Sequence, residues 1–109
     1  FGGYPQAELE RRFKLLRWDR PPSLAAWRRV VEKTRALGYA VDDGNYITGV
    51  TIIAAPVVTR QQVSHAIVVV CVSEQARQIG VARLGKELRE AAAEISVGLD
   101  AWYAERKDL

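Results

Sequence analysis

With 109 residues, 49% of them apolar and 27% charged, the chain has the composition of one globular domain with a single modest core, and too little length for a second. No stretch approaches the roughly 18 apolar residues that cross a bilayer, which excludes a transmembrane protein and a membrane partner. The net charge of +3 raises the question of nucleic acid, but its basic excess sits in Arg11, Arg12, Lys14, Arg17, Arg20, Arg28, Arg29, Lys33 and Arg35, interleaved with Glu8, Glu10, Asp19 and Glu32.

Two solvated amphipathic helices account for that distribution, and no zinc-finger spacing or RNA-binding signature accompanies it. Pro5 is placed as a first-turn residue, after which Leu9, Phe13 and Leu16 recur at helical spacing. Pro21-Pro22 ends that unit and Ser23 offers an N-cap for the next. There Leu24, Trp27, Val31, Thr34 and Leu37 share one face, and Gly38 supplies a left-handed C-cap. Tyr39 to Val41 is a short strand candidate, and Asp42 to Gly49 reads as a polar loop. Val50 to Val58 is β-prone, with Pro56 demanding an edge position or a bulge.

Thr59 to Gln62 reads as a turn, and Val63 to Ser73 as a second strand. Its near-continuous run Ala66 to Val72 is the pattern of a strand covered on both faces, which places the hairpin at the centre of a sheet. Leu84, Leu88, Ala91, Ala92, Ile95, Leu99 and Trp102 then mark a helix from about Val81 to Glu105. Helices and a hairpin in this order give an α+β sheet with helices packed on it.

One segment says more than the rest. Gly38-Tyr39-Ala40-Val41-Asp42-Asp43-Gly44-Asn45-Tyr46, continued by Gly49-Val50-Thr51-Ile52-Ile53-Ala54-Ala55-Pro56-Val57, resembles the "GYAxDDEEYxxGVxCIAAPV" segment in the sensing domain of IclR-type transcriptional regulators. Gln6 to Arg11, Arg35 to Asp43 and Leu88 to Ser96 resemble further family segments in the same order. The resemblance implies a GAF-like fold, an antiparallel sheet with flanking helices and a long C-terminal helix. It also implies a small-molecule pocket, and a winged helix-turn-helix domain upstream that alone meets operator DNA. Residues 1–109 are then one partial effector-binding domain of a homodimeric or homotetrameric regulator, and Phe1 in place of a methionine suits a fragment.

By that resemblance the ligand is a small organic acid, and the contacting positions are Asp42, Ile52, Cys71 and Ser73. Two of these depart from the family. Ile52 replaces a cysteine and has no donor or acceptor, and the "SxS" serines align as Cys71-Val72-Ser73, or in another register as Val69 and Cys71. With donors lost, a more apolar or larger effector fits better than a two-carbon acid. A competing reading is a GAF-like oligomerisation module whose pocket is filled by side chains.

Plainer roles exist for each residue. Asp42-Asp43 can serve as turn acceptors, and Cys71 as a small core residue. Lone Cys71 forms no intramolecular disulfide and points to a reducing cytoplasm. His65 is the only histidine, so neither a multi-histidine metal site nor a Ser-His-Asp relay can be built around a second. No phosphate loop or nucleophile elbow occurs, and the expectation is a protein that is not an enzyme and calls on no cofactor.

Overall fold

Capping decides where one of the helices begins and ends in the computed structural model, which describes residues 5–106. Helix α1 spans Gln6–Leu15 and α2 spans Leu24–Leu37. The Ser23 hydroxyl accepts from the Ala26 N–H at 3.1 Å, satisfying one of the orphan amides at the start of α2. Gly38 closes α2 at φ 80°, donating to the Thr34 carbonyl at 2.8 Å. Three antiparallel strands follow, β1 (Ala40–Asp43), β2 (Val50–Thr59) and β3 (Gln62–Val72), in the order β1-β2-β3. Helices α3 (Ser73–Ile79) and α4 (Val81–Glu105) complete the chain.

The two-residue period of β2 sets the layers. Thr51, Ile53, Ala55, Val57 and Thr59 are buried, whereas Ile52, Ala54 and Pro56 between them are not fully covered. Helix α4 lies on the buried set, where Leu88 and Ala92 join Ile53, Ala55, Val57 and Tyr39 in the main core. Removing a side chain such as Ile53 or Val57 from water is worth about 1.5–3 kcal/mol. Polar ties fix the far end of the helix, since Ser96 Oγ accepts from the Val58 N–H and Asp100 Oδ1 from the Arg60 N–H, both at 3.0 Å. Glycine at position 85 is what lets α4 lie so near, because a Cβ there would stand 2.3 Å from the Tyr39 ring.

A second, smaller core joins Leu9 of α1 to Trp27 and Val31 of α2, with Phe13, Trp18 and Leu24 around it. Four cations of these helices meet acids: Arg11 and Arg12 reach Glu8, Arg28 reaches Glu10 and Arg35 reaches Glu32. That is the arrangement of solvated amphipathic helices.

Several sequence expectations are revised. Asp42 and Asp43 belong to β1, paired with Ile52 and Thr51, rather than to a loop. The turn is shorter than Thr59 to Gln62, because these two residues pair and leave only Arg60 and Gln61, at φ 52° and 66°, as the connection. Ser73 opens α3, a helix the sequence reading left as strand end and loop. Pro56 lies in the middle strand, yet β1 ends at the Ala40–Ala54 pair, so its β1 side faces no strand, and a bulge follows at Val57/Val58.

The largest revision concerns β3. Among the described residues it is an edge strand, not a central one, and only one of its faces is covered. Val68, Val70 and Val72 are 50%, 62% and 60% exposed, while Ile67, Val69 and Cys71 alternate with them toward α4. The slab-like result has a radius of gyration of 15.3 Å, against about 13 Å for a compact domain of this length.

Candidate functional site

On the face of the sheet away from α4, a cleft of about 310 Å³ opens between α2 and the strands. Its floor is Ala40 and Asp42 of β1 with Ile52 and Ala54 of β2, neighbours across the antiparallel ladder. Ala26, Trp27 and Val30 of α2 form one wall, and Trp18, Pro22 and Asn45 complete it. The volume lies at the lower end of the range for small-molecule sites, about 300–1,000 Å³.

Backbone pairing holds this wall in place. Asp19 N–H donates to the Tyr46 carbonyl at 3.0 Å and Arg20 N–H to the Asn45 carbonyl at 2.7 Å. Asn45 Nδ2 donates back to the Arg20 carbonyl at 3.0 Å, and Thr48 N–H donates to Asp19 Oδ2 at 2.8 Å. These bonds strap the loop after β1 to the linker between α1 and α2. Trp18 and Tyr46 meet edge to face across the strap, with ring centroids 5.8 Å apart.

The polar groups of the cleft are few. Asp42 Oδ2 accepts from the Tyr46 N–H, four residues on, at 3.0 Å. Among the described residues no Lys or Arg lines the cleft. Trp18 Nε1 is buried and has no hydrogen-bond partner among the described residues. A buried donor of this kind is costly to leave unmet. A second cavity, about 330 Å³ between α1 and α2, is lined by Arg28 and Arg35, whose charges Glu10 and Glu32 already meet.

Of the four residues singled out in the sequence, Asp42 and Ile52 are Cα partners on the floor of the cleft. Cys71 and Ser73 lie on the opposite side. Cys71 pairs with Thr51, whose side chain is 1% exposed beneath α4, and β3 alternates with the same period. The partner of Ile52 on β3 is Val70, so Val68, Val70 and Val72 continue the face of the cleft. Val69, the alternative-register position, also turns toward α4. Ser73 is 6% exposed and its Oγ lies 2.8 Å from Thr51 Oγ1, which also reaches Asp43 Oδ1 at 3.0 Å. The Thr51 hydroxyl has one proton, so with Asp43 accepting it, Ser73 is the donor in the second bond.

Trp18 and Asn45 are the contributors that sequence reasoning missed. Trp18, scattered in sequence from Trp27 and Trp102, reads as a core or subunit-contact anchor, and only the strap to residues 45–48 brings it to the sheet. Among the described residues no group of three or more His, Cys, Asp or Glu is placed to hold a metal ion. No described helix is long and apolar enough to cross a membrane.

Comparison with known proteins supports the fold. The family profile described as "Bacterial transcriptional regulator IclR C-terminal" matches residues 5–97. The Agobacterium tumefaciens repressor BlcR is similar at 27% identity and a TM-score of 0.78, over 91% of this chain and 42% of that one. The C-terminal domain of a transcriptional regulator from Vibrio cholerae is similar at 28% identity and a TM-score of 0.63, over 84% of this chain and 54% of that one. An IclR transcriptional regulator from Alicyclobacillus acidocaldarius shares the fold at 24% identity and a TM-score of 0.72, over 89% and 41%. The chain therefore spans about two fifths to just over half of these solved relatives. No curated protein matches it.

Proposed function

Because this chain belongs to the C-terminal family of IclR-type bacterial transcriptional regulators, we propose that it senses a small-molecule effector in the cleft between α2 and the sheet. The observation that carries the reading is the cleft itself, a space of about 310 Å³ with apolar walls and Asp42 and Ile52 side by side on its floor. Cys71 and Ser73 support the floor from the α4 side rather than touching the ligand. DNA binding belongs to a winged helix-turn-helix elsewhere in the polypeptide, in keeping with the acid-paired cations of α1 and α2. Effector binding then shifts the balance between two arrangements of the whole regulator, by as much as its affinity for them differs. Regulation of transcription, not catalysis, is the activity.

A second reading, an association module without ligand, draws on the exposed valines of β3 and on Trp102, 41% exposed near the end of α4. One experiment addresses both. Trp18 and Trp27 line the cleft, so their emission reports occupancy during titration with a panel of small aromatic and aliphatic metabolites. Saturable quenching that Asp42→Ala removes and Cys71→Ala leaves intact is the expected result. A panel without any quenching, together with concentration-dependent sedimentation, would favour the association module.

A further inference from the structure

Helix α4 holds the wall of the cleft although it lies on the other face of the sheet. Helix α2, which supplies that wall, ends at Leu37, and the chain turns through Gly38 at φ 80° and Tyr39 into β1. Gly85 and Arg89, one turn apart on α4, both meet this junction. The Tyr39 ring packs on Gly85 so closely that a Cβ there would stand 2.3 Å from Cε2. The stem of Arg89 lies over Gly38, where a Cβ would stand 2.8 Å from Cδ and 3.3 Å from Cγ of that arginine. Its guanidinium Nη1 donates to the Leu37 carbonyl at 3.0 Å. We infer that Arg89 is a positioning residue for the cleft: from the opposite face of the sheet it fixes the direction of α2, and with it the width of the space that α2 walls. The inference deepens the sensor reading and takes its functional meaning from it.

Three features carry it. First, the bond falls on one of the last carbonyls of α2, which the helix itself leaves unsatisfied, and a cation there also suits the negative end of the helix dipole. Arg89 therefore grips the helix itself. Second, the wall is tied at both ends. Ahead of α2, the N–H groups of Asp19 and Arg20 donate to the carbonyls of Tyr46 and Asn45, and behind it Arg89 holds Leu37. The lining residues Ala26, Trp27 and Val30 lie between the two ties. At about 1.5 Å per residue Val30 is about 10 Å and Ala26 about 16 Å from Leu37, so a tilt of about 5° at Leu37 moves them by about 1 Å. Third, the gripped residues lead straight into the cleft floor. Tyr39 belongs to the core under α4, and the next residue, Ala40, lines the cleft.

The test needs no ligand, so its failure is distinct from failure of the sensor reading. In the 109-residue chain, Arg89→Met keeps the stem over Gly38 and removes the donors, whereas Arg89→Lys keeps one. By NMR, the Gly38 amide should exchange about three- to tenfold faster in Arg89→Met. The Trp27 indole N–H and the amides of Ala40 and Asp42 should shift with it, and Arg89→Lys should restore most of each change. A second arm uses Ala26→Leu, which fills the cleft from the α2 side with a residue that also favours helix. Unrelated substitutions multiply in the folding constant to within about twofold. Urea unfolding of Ala26→Leu with Arg89→Met should depart from the product by fivefold or more, the leucine being better tolerated once the tie is cut. Gly98→Ala, whose Cβ meets nothing within 4 Å, replaces Arg89→Met as the control and should multiply. If Arg89→Met does not fold, Arg89→Gln takes its place under the same criteria. Cleft resonances that stay in place, or folding constants that simply multiply, reduce Arg89 to a local helix cap and overturn the inference while leaving the sensor reading standing.

Discussion

Replacing a glycine of α4 by alanine sets two effects of known size against each other, and the structure says which wins at each position. In a helix interior alanine is favoured over glycine by about 0.8–1.0 kcal/mol. At Gly98 a new Cβ meets nothing within 4 Å, so Gly98→Ala should stabilise the protein by nearly that amount. At Gly85 the same methyl would stand 2.3, 2.5 and 2.6 Å from Cε2, Cδ2 and Cζ of Tyr39. Carbon atoms rest about 3.5–4.0 Å apart, so the ring or the helix must give by about 1 Å. Tyr39 is 9% exposed and packed with Ile53 and Leu88, and overpacking of this kind costs about 1–3 kcal/mol. Gly85→Ala should therefore lie about 1–3 kcal/mol below Gly98→Ala in urea unfolding followed by far-ultraviolet circular dichroism. Combining Gly85→Ala with Tyr39→Leu should recover part of the loss, giving a coupling energy above about 0.5 kcal/mol. Equal gains from the two alanines would refute the placement of α4 against Tyr39.

Two further outcomes follow from other parts of the fold. The Glu8 carboxyl is held down to about 2 from an ordinary value of 4.5, chiefly by its hydrogen bond from Arg11 and then by that from Arg12. A depressed folded value means that the contribution to α1 is present above pH 4.5 and is lost as the pH falls through about 2. A carboxyl-carbon NMR titration should show this midpoint and its rise toward 4.5 in Arg11→Ala, and a midpoint already at 4.5 in the unaltered protein would contradict the pairing. In the hairpin connection, Gln61 sits at φ 66° as the second residue of a type I′ turn. Left-handed backbone costs a residue with a Cβ roughly 1–2 kcal/mol, so Gln61→Gly should raise the melting temperature by several degrees, and an unchanged value would show the turn to be unstrained.

The helices were legible because their signals are local. Ser23, Gly38 and the spacing from Leu84 to Trp102 each act within a few residues, and the observed bounds of α2 and α4 follow them. Strand relationships were less legible because they depend on a partner. An unbroken apolar run such as Ala66 to Val72 shows no period, so it cannot say which face is covered, and here one face is open. The same gap separates the candidate residues: Cys71 and Ile52 differ in face only because Cys71 pairs with Thr51, a register that depends on a two-residue turn and a bulge. Asp42 and Asp43 read as loop from composition, yet pairing with Ile52 and Thr51 outweighs their turn preference. Helix α3, seven residues long, has no side-chain cap to announce it. Asp42 at the floor of the cleft was readable; Trp18, brought there by hydrogen bonds to a loop 27 residues onward, was not.

Among the described residues β3 is an open edge, and that bears on how this chain behaves in a tube. Eleven residues from Gln62 to Val72 hold no Lys, Arg, Asp or Glu, and soluble proteins commonly place such residues on an open edge to stop sheets from joining edge to edge. Without them, self-association of this chain is expected to rise with its concentration. Val70, 62% exposed and outside both cores, is the position where a single lysine would act as the missing gatekeeper and keep the preparation monodisperse.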